Sequence, residues 1–253
     1  MNRTPQVSAQ EKVILFRLLN IILLGLILSP LLMATPVAAL QERARLSFDV
    51  FRDGSRIGSH IISFLRESPE SMAVEIDINL EVKFGPFTVF DFSHRNTTEW
   101  KNGHLWRMQS VTNDNGDYHE VNAKNTGELL QVSGSGIDTY SIGPNILPTT
   151  YWMSSTVMQS ELINSQTGER IDIKVREVGR EDISSPGGLV SAKRYQMTGD
   201  LEIDLWYDGN GILAGLAFRA RGSDVTYRLT ERTDELLVAA SMSNLIARHS
   251  GRF

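Results

Sequence analysis

From Met72 to Phe84 the chain alternates: Met72, Val74, Ile76, Ile78, Leu80, Val82 and Phe84 are apolar, and Glu75, Asp77, Asn79, Glu81 and Lys83 fall between them. A period of two over that length predicts a strand with one buried and one wet face. It reads as antiparallel, because strands covered on both faces show continuous apolar runs instead. Turn signals punctuate the neighbouring sequence at hairpin spacing: Asp53-Gly54, Gly85-Pro86, Asn102-Gly103 and Asn115-Gly116. Asn-Gly and Asp-Gly pairs suit tight turns that need positive φ. Further strands are predicted over 128–133, 138–142, 170–178, 189–198, 201–207, 212–220 and 224–230.

Two stretches break the period. Residues 147–169 lack alternation, and Pro148-Thr149 offers a helix entry, so a short helix is predicted over 150–159 in a mid-chain insertion. At the end of the chain Thr233 can cap, Asp234 and Glu235 suit a first turn, and Arg248 and His249 suit a last one, which predicts a C-terminal helix over 234–248. The expected fold class is mainly β: an antiparallel meander curled into a barrel or half-barrel, with these two helices attached. Neither a repeat nor a linker divides residues 40–253, which read as a single domain.

The first residues read differently. Arg3, Lys12 and Arg17 precede an apolar run over 18–33, followed by Pro36, Val37 and Ala39. Basic flank, apolar run and small-residue exit predict a signal peptide over 1–39, cleaved between Ala39 and Leu40, and hence export to the periplasm. The alternative is an uncleaved inner-membrane anchor, with membrane contact through residues 13–33 only. A chain without Cys excludes a lipid-modified Cys anchor and fits a bacterial periplasm. Removing Arg3, Lys12, Arg17 and Glu11 takes the formal charge from −5 to −7. So acidic a chain is not expected to bind nucleic acid.

Motifs for chemistry are sparse. Cys nucleophiles and thiolate metal sites are excluded by composition, Gly134-Ser135-Gly136 has the wrong spacing for a nucleophile elbow, and no phosphate-binding loop is present. Asp208-Gly209-Asn210-Gly211 invites a cation reading, but aligning Gly211 with the sixth position of a calcium loop puts Trp206 first and Ala217 twelfth, where acidic ligands belong. It is predicted to be a bend between strands. Of the five His, none forms an H-x-H or H-E-x-x-H pair. Asp200, Glu202 and Asp204 read as the wet face of a strand. No catalytic residue, metal ligand or cofactor is therefore assigned.

Aromatic residues are more informative. Phe90, Phe92, His94, Asn96, Thr98 and Trp100 share one parity, apolar first and polar later. Phe90, Phe92 and His94 are candidates to line a cavity of the kind that small barrels enclose; the competing reading is a filled core. Tyr151-Trp152 and Trp206-Tyr207 could sit at its mouth.

Five stretches, FDVFRDGSRIGSH (48–60), TNDNG (112–116), YW (151–152), LINSQTG (162–168) and IDLWYD (203–208), resemble a family of exported bacterial β-sheet proteins described as a domain of unknown function. The resemblance spans roughly 46–230. It implies a periplasmic location and a curved antiparallel sheet, and carries no activity. The basic leader and the C-terminal helix depart from the family pattern. On these residues the ligand-binding candidates are His60, Trp152, Asn164, Gln166, Asp204 and Trp206, with the alternative that Asn164 and Gln166 merely tie their own loop. The expected function is non-enzymatic: binding of an apolar or amphiphilic small molecule, or of a cell-envelope protein. The alternatives are a hydrolase-like enzyme built around His60, Asn164 and Asp204, and an outer-membrane β-barrel. Against the barrel, the last residues do not alternate and several predicted strands fall short of a span.

Overall fold

The structure, a computed structural model, describes residues 42–68 and 70–233. The chain divides into Met1–Ala38 and Ala39–Phe253, and all described residues belong to the second unit. The expected leader and the C-terminal helix over 234–248 lie outside the described residues.

Alternation becomes a 15-stranded sheet. Its first arm is β1 (Glu42–Arg52), β2 (Ser55–Ser68), β3 (Ser71–Phe84), β4 (Phe87–Lys101), β5 (His104–Asp114), β6 (Asp117–Asn125), β7 (Leu130–Gly134) and β8 (Ile137–Ile142). A connecting segment carries the short β9 (Leu147–Pro148) and β10 (Glu161–Ile163). The second arm is β11 (Arg170–Ser185), β12 (Gly188–Gly199), β13 (Ile203–Tyr207), β14 (Leu213–Ala220) and β15 (Ser223–Arg232). Each arm is a meander, and β1 pairs with β15 to join them at the middle of the sheet. All ladders are antiparallel except β9 with β10.

The expected hairpin turns form as their residues require. Asp53, Asn102 and Asn115 take φ of 48, 50 and 56°, each followed by a positive-φ glycine. The Asp208–Gly211 stretch is likewise a turn, with Asp208 Oδ1 accepting from the amides of Asn210 and Ile212 at 2.9 Å each.

The expected fold class needs three corrections. Among the described residues there is no α-helix: the helix predicted over 150–159 is a single 3₁₀ turn, Ser154–Met158. Tyr151 sits at φ 57°, which no right-handed helix accepts, and Trp152 and Met153 are drawn into the core on either side of an extended step. Tertiary burial overrides a weak local preference there. Second, the chain is two arms rather than one continuous meander. Third, among the described residues no ladder closes the sheet, whose edges are β8 and β9.

Side chains bridge the seam instead. Ser110 Oγ donates to the Ser165 carbonyl (2.5 Å), Thr112 Oγ1 to the Gln166 carbonyl (3.3 Å) and Tyr140 Oη to the Gly168 carbonyl (2.7 Å). These bonds lay segment 164–168 against the inner faces of β5 and β8. Gly168 permits the approach, since a Cβ there would stand 2.6 Å from Ile137 Cδ1 at φ +83°.

One end of this curled sheet is solid. Trp152 meets Phe64 and Trp100 edge-on at 5.4 and 5.6 Å, among Met72, Val74, Leu105 and Met108. Burial then falls along the same face of β3, from Val74 (0% exposed) through Ile78 (9%) to Phe84 (78%). The core ends partway up the strands.

Candidate functional site

Above that core the inward side chains do not meet. They leave a cavity of about 520 Å³, within the size range of small-molecule sites. Its walls come from strands far apart in sequence: Ile78, Leu80, Phe90 and Phe92 on β3 and β4, and Leu216, Phe218 and Tyr227 on β14 and β15.

Register builds the floor. His60 on β2 pairs across with Ile78 on β3, Ile78 with His94 on β4, and His94 with Thr112 on β5. Both imidazoles therefore stand at one level of the inner face, and both are buried. His94 is tied down: Nδ1 lies 2.8 Å from Thr112 Oγ1 and Nε2 lies 3.4 Å from Ser165 Oγ. His60 is held by rings alone, with Phe48 at 5.9 Å and Tyr227 edge-on at 5.6 Å, and neither ring nitrogen has a hydrogen-bond partner among the described residues. Burial lowers the His60 pKa to about 3, helped by His94 nearby, and lowers that of His94 to about 4. Both rings are therefore uncharged at neutral pH. His119 stands opposite Thr112 at the same level but is partly exposed and does not line the cavity.

The mouth carries charge. Arg52 lines it and donates from Nε to Ser223 Oγ at 2.8 Å. Arg221, in the turn between β14 and β15, reaches across to Asp114 at the end of β5 (3.4 Å) and covers the Phe90 ring at 4.9 Å. That contact straps the mouth between two strands distant in the sheet.

The residues singled out in the sequence divide into three groups. His60, His94, Phe90, Phe92 and Gln166 line the cavity. Trp152 lies below it in the solid core, and its neighbour Tyr151 takes the lining position. Asn164, Asp204 and Trp206 stand elsewhere. Asn164 Oδ1 accepts from the Gln166 amide at 2.9 Å, so it ties its own turn. Asp204 faces outward, where the Arg194 guanidinium binds it through Nε (3.1 Å) and Nη2 (3.0 Å). Glu181 completes that outer cluster, accepting from Trp206 Nε1 at 2.9 Å and Arg194 Nη1 at 3.1 Å. The hydrogen bond from Trp206, then Arg194, holds its carboxyl below the usual range. Sequence reading missed Arg52, Asp114, Arg221 and Tyr227. Tyr227 could have been found from its parity with Val225 and Leu229, whereas the strap depends on a long-range approach.

Comparison with known proteins agrees with the fold. No curated protein matches the sequence. Among solved structures, a β-barrel-like protein of a domain of unknown function, DUF1849, from Brucella abortus superposes with a TM-score of 0.55 at 13% identity, covering 76% of this chain and 98% of that one. At that identity the likeness is one of fold alone, and it supports a barrel-like description of the sheet. A family model, Domain of unknown function (DUF6134), matches residues 48–230, which span both arms and every cavity-lining position. The chain therefore belongs to the DUF6134 family, a family of domains of unknown function.

Proposed function

We propose that this protein is an exported, non-enzymatic binding protein of the bacterial periplasm that carries an apolar or amphiphilic small molecule in its cavity. One observation carries the reading: the inward stripe that packs one end of the sheet solid stays apolar at the other end, where it encloses about 520 Å³ of space. A merely structural sheet gains nothing from keeping Ile78, Leu80, Phe90 and Phe92 around a gap, because interiors otherwise pack densely. The basic and apolar leader supports export. Native mass spectrometry of protein purified gently from periplasm tests the proposal. A lipid-like mass released on activation is expected. A bare chain, together with failure to take up any added apolar compound, would sink it.

The enzyme reading draws on one contact, Ser165 Oγ to His94 Nε2. Three features weaken it. The third member is the Thr112 hydroxyl rather than a carboxylate, Ser165 Oγ also bonds Thr149 Oγ1 at 3.1 Å, and a histidine titrating near 4 is a weak base. The trio anticipated at His60, Asn164 and Asp204 is dispersed over cavity, loop and outer face. An outer-membrane role is opposed by Glu75, Asp77, Asn79 and Glu81, which occupy the outward positions that lipid would cover.

A further inference from the structure

The cavity's polarity is arranged in depth, and this deepens the binding role just proposed. At the floor, His60 presents two ring nitrogens and Thr150 a hydroxyl, all buried, all in the lining residues and all without a partner among the described residues. Among the described residues no ion pair joins His60 to a carboxylate, and burial keeps its ring uncharged. An uncharged imidazole offers one N–H donor and one nitrogen acceptor. A hydroxyl, itself donor and acceptor, can pair with a His60 ring nitrogen in either tautomer and use its remaining capacity on the Thr150 hydroxyl. A carboxylate satisfies only the donor and brings an uncompensated charge into a dry site, which is strongly disfavoured. The floor lies four residues below Val82 and Phe90 along the strands, roughly 13 Å at the usual rise, and the walls between are apolar. Among the described lining residues, the guanidinium groups are those of Arg52 and Arg221 at the mouth.

We propose that the cavity takes an uncharged, elongated amphiphile head first, with its hydroxyl against His60 and Thr150 and its apolar body along Ile78, Leu80, Phe90 and Phe92 toward the mouth. Selectivity then lies between head groups on the same tail. His94, already engaged with Thr112 and Ser165, positions the floor without meeting the ligand directly.

The test uses the purified chain with bound material extracted, N-phenyl-1-naphthylamine as reporter, and 1-decanol and decanoate as competitors at pH 7.5. The expected result is displacement by decanol at a concentration at least tenfold lower than by decanoate. His60→Phe should abolish that preference. Two-dimensional nitrogen NMR of the wild-type imidazoles adds a readout that needs no variant: decanol should shift the His60 ring nitrogens and leave those of His119 in place. Stronger displacement by decanoate, or an unmoved His60 signal with decanol bound, overturns the head-first assignment and leaves the binding role standing. Failure of reporter, decanol and decanoate alike to bind overturns both.

Discussion

Arg232 Nη1 donates to Asp208 Oδ2 across 2.6 Å, while the other carboxylate oxygen of Asp208 accepts two turn amides. The side chains retain only 6% exposure for Asp208 and 19% for Arg232. The acidic loop that invites a cation thus has its cation built in, on the neighbouring end of β15. Asp208→Ala removes the pair and both turn acceptors, and should lower stability by about 3 kcal/mol. Asp208→Asn keeps an oxygen for the amides and should lose roughly half of that. Urea unfolding midpoints check the order. Added calcium should leave the wild-type midpoint unchanged, and a calcium-dependent rise would contradict the turn assignment.

The two ends of β3 respond differently to added volume. Val74 and Leu80 share one face, but Val74 is fully buried in solid core and Leu80 lines the cavity. Val74→Phe should cost on the order of 1–3 kcal/mol by overpacking. Leu80→Phe grows into open space and should cost under about 1 kcal/mol while weakening binding of any apolar probe. Equal losses of stability at the two sites would mean that the cavity collapses in solution.

How much of this was legible in the sequence follows from where each signal originates. Strand faces were readable because alternation and Asn-Gly turns are local, and they set Phe90, Phe92 and His94 on one face, whereas His60 became a candidate through the family resemblance. Strand β11 was read as ending at 178, yet it runs to Ser185, because its outer half forms an arm over β14 where few residues are buried. Ile183 of that arm lies against Gly215, at 3.4 Å from where a Cβ would stand, and the first half of β14, Leu213 to Leu216, is buried on both faces. Whether the aromatic stripe met a filled core or a gap was not legible. That depends on Phe218 and Tyr227, which arrive from the other arm more than a hundred positions away. Asp204 and Trp206 stood out chemically for a different reason, the outer cluster with Arg194 and Glu181.

Acid should destabilise the protein through the cavity floor. The folded-state pKa values of His60 and His94 fall to about 3 and about 4, against about 6.5 in an unfolded chain. Between those values the unfolded state binds more protons, so stability is complete above pH 6.5 and is lost as pH falls through the window from 6.5 toward 4. Each histidine should contribute a loss on the order of 2 kcal/mol by pH 5. Urea titrations at pH 7 and pH 5 measure it, and His60→Phe should remove about half of the difference. A profile unchanged by that variant would place the His60 titration elsewhere.

At Gly58 the backbone of β3 leaves no room for a side chain on β2. A Cβ there would stand 1.9 Å from the Asn79 carbonyl oxygen and 2.9 Å from Leu80 Cα, both backbone atoms that no rotamer change can move. The strands must separate to admit it, next to the bulge between Val50 and Phe51 that sets Ile57 against the cavity. Gly58→Ala should therefore cost at least about 2 kcal/mol although it adds a single methyl group. A melting temperature within a degree of wild type would show that the sheet relaxes there freely.

Arg221 combines an unusual backbone with an unusual position. Its φ of 52°, ahead of Gly222 at 82°, is the left-handed geometry of a two-residue hairpin, where Asn, Asp and Gly are preferred. An arginine there costs about 1 kcal/mol of backbone strain, and its exposed pair with Asp114 returns little. Local folding alone therefore does not favour it, whereas a side chain long enough to reach Phe90 and Asp114 across the mouth does. Arg221→Asn keeps the turn, relieves the strain and removes the strap. Stability should stay level or rise by up to about 1 kcal/mol, and N-phenyl-1-naphthylamine should leave the cavity several-fold faster in stopped-flow dilution. Loss of stability with an unaltered release rate would make Arg221 a structural residue and leave the mouth unstrapped.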